Sequence, residues 1–283
     1  MKRIGIGAVL AMAIVLVGLS AASVADASGG PEYLICGKAA KSGKKYTGHY
    51  VNKTCTEVSG TDEGKYEREA PTKPIKTKSK FGLTTVYLYD PETHKYESEV
   101  PCEKGASSGE ITGSREETLT LTYSGCVIPR EFKNGEKAKF SGSCNSPGQS
   151  AKKAVIVTKP LVTKLVWVNS GETEPGILVT AAEPGGVFEE AECFLGKVKI
   201  KQTGEILARI APQDELTKLL TATFTASATT GEPELGTYWE GGVPTEVKLL
   251  SEIVAPEFGI DYPAVPTSET SSIPQKSGDV LIS

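Results

Sequence analysis

From Phe81 onward, apolar and polar residues alternate along the chain in a way that predicts β-strands. In TLTLTY, residues 118–123, Leu119, Leu121 and Tyr123 fall on one face of an extended segment. Further runs rich in β-branched and aromatic residues lie at 83–89, 154–168, 176–182, 197–202, 205–210, 221–230 and 247–254. Turn signals such as Gly241-Gly242 separate them. Short strands at this spacing predict an all-β fold, an antiparallel β-sandwich or barrel-like domain over residues 81–254.

The segments around this domain are less regular. QDELTKLL, residues 213–220, is compatible with two helical turns or with the start of a strand. Residues 71–80 contain two prolines and several lysines and are predicted to form a linker. Proline, serine and threonine dominate after Val254, so residues 255–283 are predicted to form a flexible C-terminal tail.

Residues 26–70 are predicted to form a small separate unit in front of the linker. Tyrosines recur in it among glycines and lysines: Tyr33, Tyr46, Tyr50 and Tyr66. Cys36 and Cys55 enclose most of the segment. This pattern predicts short strands or hairpins that a disulfide holds together, because a disulfide stabilises a unit too small to bury much apolar surface.

The first 25 residues predict a cleaved signal peptide. Lys2 and Arg3 precede an apolar run over residues 4–19, and small residues follow it, with cleavage sites after Ala25 or Ala27. An uncleaved membrane anchor is the rival interpretation, but the run is shorter than the roughly 20 residues that span a bilayer. No second long apolar segment follows. We therefore expect a secreted or cell-envelope protein without a transmembrane segment in its mature chain.

All six cysteines lie beyond the predicted signal peptide: Cys36, Cys55, Cys102, Cys126, Cys144 and Cys193. An even number of cysteines in an exported chain predicts disulfides, with free buried thiols as the alternative. The intervals favour short loops closed by Cys36–Cys55 and Cys126–Cys144, which leaves Cys102–Cys193 as the third bond. No pair has C-x-x-C spacing, so neither a zinc site nor a redox motif is expected.

Charge and composition exclude some classes of partner. The hydrophobic content of 39% argues against global disorder, and the net charge of −4 becomes −6 without Lys2 and Arg3. No nucleic-acid partner is therefore expected. The most basic region combines residues 38–45 with four further lysines: Lys73, Lys76, Lys78 and Lys80. We interpret it as a solvated surface, with contact to an anionic cell-envelope polymer as the alternative.

Motifs for catalysis or cofactor binding are lacking in the sequence. The two histidines, His49 and His94, stand apart, and neither H-E-x-x-H nor G-x-S-x-G occurs. Residues 37–45 resemble a phosphate loop, but the interval between the glycines is wrong and no Ser or Thr follows Gly43-Lys44. We therefore predict no catalytic residue, no metal site and no cofactor.

Carboxylates and aromatics leave two further candidate sites. Acidic residues cluster before Cys193 and near residue 214: Glu189, Glu190, Glu192, Asp214 and Glu215. Such clusters are interpreted as solvated, although a glycosidase also needs a pair of carboxylates. Tyr238 and Trp239 precede a glycine turn and are candidates for ligand binding, whereas Trp167 lies in an apolar strand and is expected to pack in the core.

The chain resembles a group of uncharacterised secreted proteins of soil actinobacteria. The residues that carry the resemblance are PEYLICGKAAKSGKKYTGHYVNKTCTEVSGTDEGKYE, then Ser124-Gly125-Cys126, GSCNSPG at 142–148, and residues 188–193. The resemblance implies export, disulfides and a β-rich fold, and it carries over no functional residue.

Taken together, the sequence favours a non-catalytic secreted or cell-envelope protein with a binding or structural role. The partner would be a cell-envelope polymer, a glycan or another extracellular protein. This interpretation depends on the lack of catalytic motifs and on the use of loop-rich sheets as binding scaffolds. The alternative is a secreted carbohydrate-active hydrolase that uses paired carboxylates.

Overall fold

A computed structural model describes residues 29–90, 95–128, 142–149 and 154–283. The predicted signal peptide, His94 and the turn at Asn134-Gly135 lie outside these residues. The described residues contain one 3₁₀ turn, Pro256–Phe258, and no helix there is long and apolar enough to cross a membrane. The remaining elements are strands, which confirms the predicted all-β fold.

Strands in the described part of the chain are numbered in chain order: β1 Tyr33–Lys38, β2 Lys41–Ser42, β3 Lys45–Tyr46, β4 Tyr66–Glu69, β5 Ile75–Phe81, β6 Thr84–Asp90, β7 Lys95–Cys102, β8 Lys104–Ile111, β9 Glu116–Ser124, β10 Val127–Ile128, β11 Gly142–Asn145, β12 Val155–Val157, β13 Leu161–Trp167, β14 Pro175–Ala181, β15 Val187–Cys193, β16 Val198–Ala211, β17 Thr217–Phe224, β18 Thr237–Glu240, β19 Val243–Glu246, β20 Leu249–Ala255 and β21 Ile260–Ile282. Eight of these strands coincide with the predicted β runs: β6, β9, β12, β13, β14, β16, β17 and β20.

Eight antiparallel strands close into a barrel. Its order is β9, β13, β14, β16, β17, β21, β5 and β8, and β8 returns to β9. Closure pairs every one of these strands on both sides, so the barrel proper has no free edge. Its interior contains the main apolar core, including Leu121, Leu161 and Leu165.

A second antiparallel sheet continues from the barrel through two long shared strands. It has the order β11, β15, β16, β20, β21, β6 and β7. Strand β16 changes partners at Gly204, whose φ is +101°. A Cβ at this position would lie 2.2 Å from the carbonyl oxygen of Lys248, so glycine permits both the backbone conformation and the close approach.

Residues 71–80 were predicted to form a linker. That prediction is wrong for the second half of the segment, because β5 is a strand of the barrel. Its residues alternate between inside and outside, with Thr77 and Ser79 buried and lysines exposed between them. The two central inward positions are small and polar, so hydrophobic alternation did not reveal the strand. Ladders to β8 and β21 supply its backbone hydrogen bonds.

The predicted flexible tail, residues 255–283, is also wrong, because β21 runs through both sheets. Several of its inward residues are polar: Thr267, Glu269, Ser271 and Gln275. The composition of this segment therefore resembles that of a linker, although the segment forms a strand whose polar side chains are buried. The possible helix at residues 213–220 is absent, and β17 begins there instead, which was the alternative.

All six cysteines form disulfides, with Cys36–Cys55 as predicted. The other two predicted pairs are wrong, because the bonds are Cys102–Cys126 and Cys144–Cys193. Cys144 and Cys193 lie directly opposite each other on β11 and β15. The β8–β9 hairpin pairs Lys104 with Ser124 and so brings Cys102 and Cys126 together. Three disulfides indicate an oxidising, extracellular environment.

Candidate functional site

Three glutamates are buried in the described interior, and sequence patterns alone did not single them out as a group. Glu117 is on β9, Glu189 on β15 and Glu269 on β21, with exposures of 0%, 6% and 5%. A buried ionised carboxylate is costly unless it is paired, so burial of this kind favours the protonated form. These residues are the first place to look for chemistry.

Glu117 lies in a polar layer inside the barrel. Thr77 donates a hydrogen bond to Glu117 Oε1 over 2.5 Å, and the Gln275 amide donates to the same oxygen. Burial raises the pKa of Glu117 to about 7, because the two hydrogen bonds, which act to lower the pKa, offset only part of the effect of burial. Thr163 lies directly opposite on β13. Glu117 Oε2, a described and buried atom, has no hydrogen-bond partner.

Glu189 and Glu269 form a second acidic group, where the long strands continue into the second sheet. Glu269 accepts hydrogen bonds from Ser271 Oγ at 2.7 Å and from the Tyr123 hydroxyl at 3.2 Å. Burial raises the pKa of Glu269, and burial together with the Glu269 charge raises the pKa of Glu189 to about 8. The charge of Glu269 therefore acts on Glu189.

The space beside this pair is small. A cavity of about 20 Å³ is lined by Glu189, Tyr123 and Gln202 together with apolar side chains and disulfide cysteines. A water molecule needs roughly 10–15 Å³ by this kind of measure, so the cavity has room for about one water. A sugar ring does not fit in this cavity, which Glu189 lines and Glu269 does not.

On the surface, Trp167 and Trp239 stand directly opposite each other in the β13–β18 ladder. Both are half-buried, and Trp167 Nε1 donates to the Gly29 carbonyl over 2.5 Å. Directly opposed residues in a sheet have Cβ atoms about 5 Å apart, so two indoles flank one position. Trp167 was expected to pack in the core. The structure leaves part of its side chain exposed, so the expectation is wrong for that part of the side chain.

The other predicted aromatic, Tyr238, packs against an apolar cluster formed by Val166, Val168, Leu178, Leu207, Leu235 and Val247. Val166 belongs to this cluster while its neighbour Leu165 belongs to the barrel core, so the cluster lies on the outer face of the barrel wall. Tyr238 is therefore partly used in packing. Trp239, next to it, is the better placed of the two predicted binding residues.

Glu240 follows Trp239 on β18 and shares the phase of Tyr238, so it lies on the opposite side of the strand from Trp239 and carries a fixed charge there. Its carboxylate lies 2.8 Å from both Arg115 Nη2 and Lys164 Nζ. Partial burial acts to raise the pKa of Glu240, but hydrogen bonds from Lys164 and then Arg115 outweigh it and keep the pKa below its usual value. The Gly242 N–H donates to Glu172 Oε1 over 2.6 Å, which holds the β18–β19 hairpin in place.

The remaining candidates from the sequence lie apart from this face. His49 Nδ1 is 2.5 Å from Glu67 Oε2, and the hydrogen bond and charge of Glu67 raise the pKa of this exposed histidine. Among the described residues, no three side chains of the His, Cys, Asp or Glu types are grouped as metal ligands. Glu190 pairs with Lys159 at 3.1 Å on the outer surface, and Asp214 lies 4.0 Å from Arg68.

Part of the buried acidic group was visible in the sequence. Glu117 is in phase with Leu119, Leu121 and Tyr123, so the alternation of β9 already placed it on the inward face. The acidic run before Cys193 was interpreted as solvated as a whole, whereas the strand places Glu189 inside and Glu190 partly exposed. Glu269 lies in the predicted tail, so no sequence signal pointed to it.

No family model and no curated protein matches the chain. Among solved structures it is similar to the enduracididine biosynthesis enzyme MppR, complexed with the condensation product of pyruvate and imidazole 4-carboxaldehyde, at 11% sequence identity. The match covers 75% of this chain and 90% of that chain with a TM-score of 0.15. A likeness this low carries no argument about function.

Proposed function

We propose that this is a non-catalytic protein, secreted or held at the cell envelope, that binds a carbohydrate at the face formed by Trp167 and Trp239. The observation that carries the proposal is the pair of half-buried indoles directly opposite each other on adjacent strands. Aromatic rings offer an apolar surface to the C–H face of a sugar.

The support for rigidity comes from the surroundings of this face. Arg115 and Lys164 hold the Glu240 carboxylate, and the tight turn of the hairpin is anchored through Gly242. A site whose side chains are already fixed loses less conformational entropy on binding. Export by cleavage of the first 25 residues is part of the same proposal, because envelope glycans lie outside the cytoplasm.

The alternative function is a secreted hydrolase that uses paired carboxylates. The buried Glu189 and Glu269 favour it, since raised pKa values are typical of general acids. The size of their cavity weighs against it, because a glycosidase holds its acids about 5–10 Å apart across a cleft that admits the sugar.

We expect Trp239→Ala to weaken binding to a retained glycan by more than about 10-fold, because truncating a central aromatic contact costs on the order of 2 kcal/mol. The measurement is a glycan array together with retention on cell-wall fractions, run beside an activity screen on the same polysaccharides. Tyr262→Ala is the matched control, since Tyr262 is 55% exposed and lies elsewhere on the surface.

Turnover of any of these polysaccharides that is abolished by Glu189→Gln would establish the hydrolase instead. Equal losses of binding for Trp239→Ala and Tyr262→Ala would show that the Trp167–Trp239 face is not the binding site. An unchanged unfolding midpoint for Trp239→Ala separates loss of binding from loss of the fold.

A further inference from the structure

Five lysines cluster on the outer surface of the barrel around β5, and we call this surface the lysine face. Its members are Lys76, Lys78, Lys80, Lys104 and Lys276. All five are exposed, because the residues that alternate with them on the same strands point into the core. Lysines two residues apart on β5 are about 7 Å apart, so this strand presents a regular row of charge.

The register of the sheet places two of these lysines directly opposite each other. Lys78 on β5 pairs with Lys276 on β21. Like charges in this position repel and destabilise the sheet. None of the five ammonium groups makes an ion pair or a hydrogen bond within the part of the chain that the structure describes. The fold thus tolerates an uncompensated repulsion here.

The surface next to the middle of β5 carries small side chains. On β8 and β9 the outward residues between Lys104, Glu110 and Glu116 are small: Ala106, Ser108, Thr118, Thr120 and Thr122. One cross-strand row runs from Lys276 through Lys78 and Ser108 to Thr120. Glu110, opposite Lys76, is the one acidic residue in the outward positions of these β5–β8 pairs.

Other lysines on the outer wall are compensated. Lys199 and Lys201 on β16 face Glu192 and Glu190 on one side, and Lys201 lies 3.6 Å from Glu252 on the other. The whole chain has a net charge of −4, so the positive charge of the lysine face is a local feature of the surface. A surface of this kind raises the local concentration of anions and their rate of association.

We propose that the lysine face binds a linear polyanion of the cell envelope whose charges are phosphodiesters, one in each repeating unit. Lysine binds phosphate as a point charge, and an extended strand row suits a chain with regularly spaced charges. Duplex DNA, with one charge per roughly 1.7 Å, is far denser than this row. This surface is separate from the Trp167–Trp239 face and goes beyond the function proposed for that face.

The test measures the affinity of the full mature chain for poly(glycerol phosphate) by fluorescence anisotropy over a series of NaCl concentrations. The double variant Lys78→Thr/Lys276→Thr is expected to bind at least about 10-fold more weakly. The slope of log K against log salt should fall by about 1.4, or about 0.7 for each lost contact. The control Lys199→Thr/Lys201→Thr, with the same change of charge, should stay within about 2-fold of the parent.

Stability separates this role from a structural one. Removing the repulsion between Lys78 and Lys276 should leave the unfolding midpoint unchanged or raise it, while binding is lost. Equal losses for both double variants, or binding that does not depend on salt, would overturn the proposal. Tighter binding to single-stranded oligo(dT) or to vesicles of anionic lipid would overturn the assignment of the partner. Trp239→Ala should leave polyanion binding unchanged. The proposal for the lysine face and the proposal for the glycan site can therefore be overturned separately.

Discussion

Replacement of both Cys144 and Cys193 by alanine is expected to lower the free energy of unfolding by about 4 kcal/mol. The bond closes a sequence separation of 49 residues and joins β11 to β15. In the chain-entropy model, removing a bond that closes a loop of this size returns conformational entropy to the unfolded chain. That entropy is worth about 4 kcal/mol. Both cysteines are fully buried and line the small cavity, so truncation also removes packing there.

Urea denaturation, followed by far-ultraviolet circular dichroism, measures this loss. The matched control is Cys36→Ala/Cys55→Ala, which removes the disulfide of the N-terminal unit with its separation of 19 residues. It should cost about 3 kcal/mol locally and leave the main barrel transition in place. A barrel transition that shifts equally in both double variants would show that the N-terminal unit and the barrel unfold as one.

Stability is expected to fall by several kcal/mol as the pH rises from about 4.5 to about 8. The usual pKa of a glutamate is 4.5, but burial raises that of Glu117 to about 7 and that of Glu189 to about 8. Between these values the native state holds protons that the unfolded state has released. Unfolding therefore becomes easier as pH rises, and the dependence levels off above the native pKa values.

Guanidinium denaturation at intervals from pH 4.5 to 9 tests this dependence. Glu189→Gln, which cannot ionise, should flatten the curve and stabilise the protein at pH 8. Glu190→Gln on the same strand is the control, because its side chain pairs with Lys159 on the surface. Glu240 has a lowered pKa and contributes only at more acidic pH. A free energy of unfolding that stays level or rises from pH 5 to 8 would contradict the burial of these acids.

Strands with strong alternation were predictable because their own residues carry the signal. In β9, Leu119, Leu121 and Tyr123 mark the inward face, and the same phase includes Glu117. The run at 154–168 forms two strands, β12 and β13, on either side of Pro160, since proline cannot donate to a ladder. The short interval between Cys36 and Cys55 predicted the N-terminal disulfide correctly, but the same rule wrongly paired Cys126 with Cys144.

Strands with polar inward faces were not predictable in the same way. β5 buries Thr77 and Ser79, and β21 buries Glu269 and Gln275. These side chains find hydrogen-bond partners on distant strands: Gln275 donates to Glu117, and Tyr123 donates to Glu269. Closure of the barrel decides which distant residues become the partners of these side chains. The local composition of β5 and β21 does not contain that information and therefore resembled a linker and a tail.

The sequence by itself determined the β class, the alternation of several strands and the presence of disulfides. Only the tertiary structure decided the pairing of Cys102 with Cys126, the opposition of Trp167 to Trp239 and the lysine face around Lys78 and Lys276. Alternation is a property of neighbouring residues, whereas register joins residues far apart in the chain. Closing the barrel fixes all registers together, and no single segment contains that information.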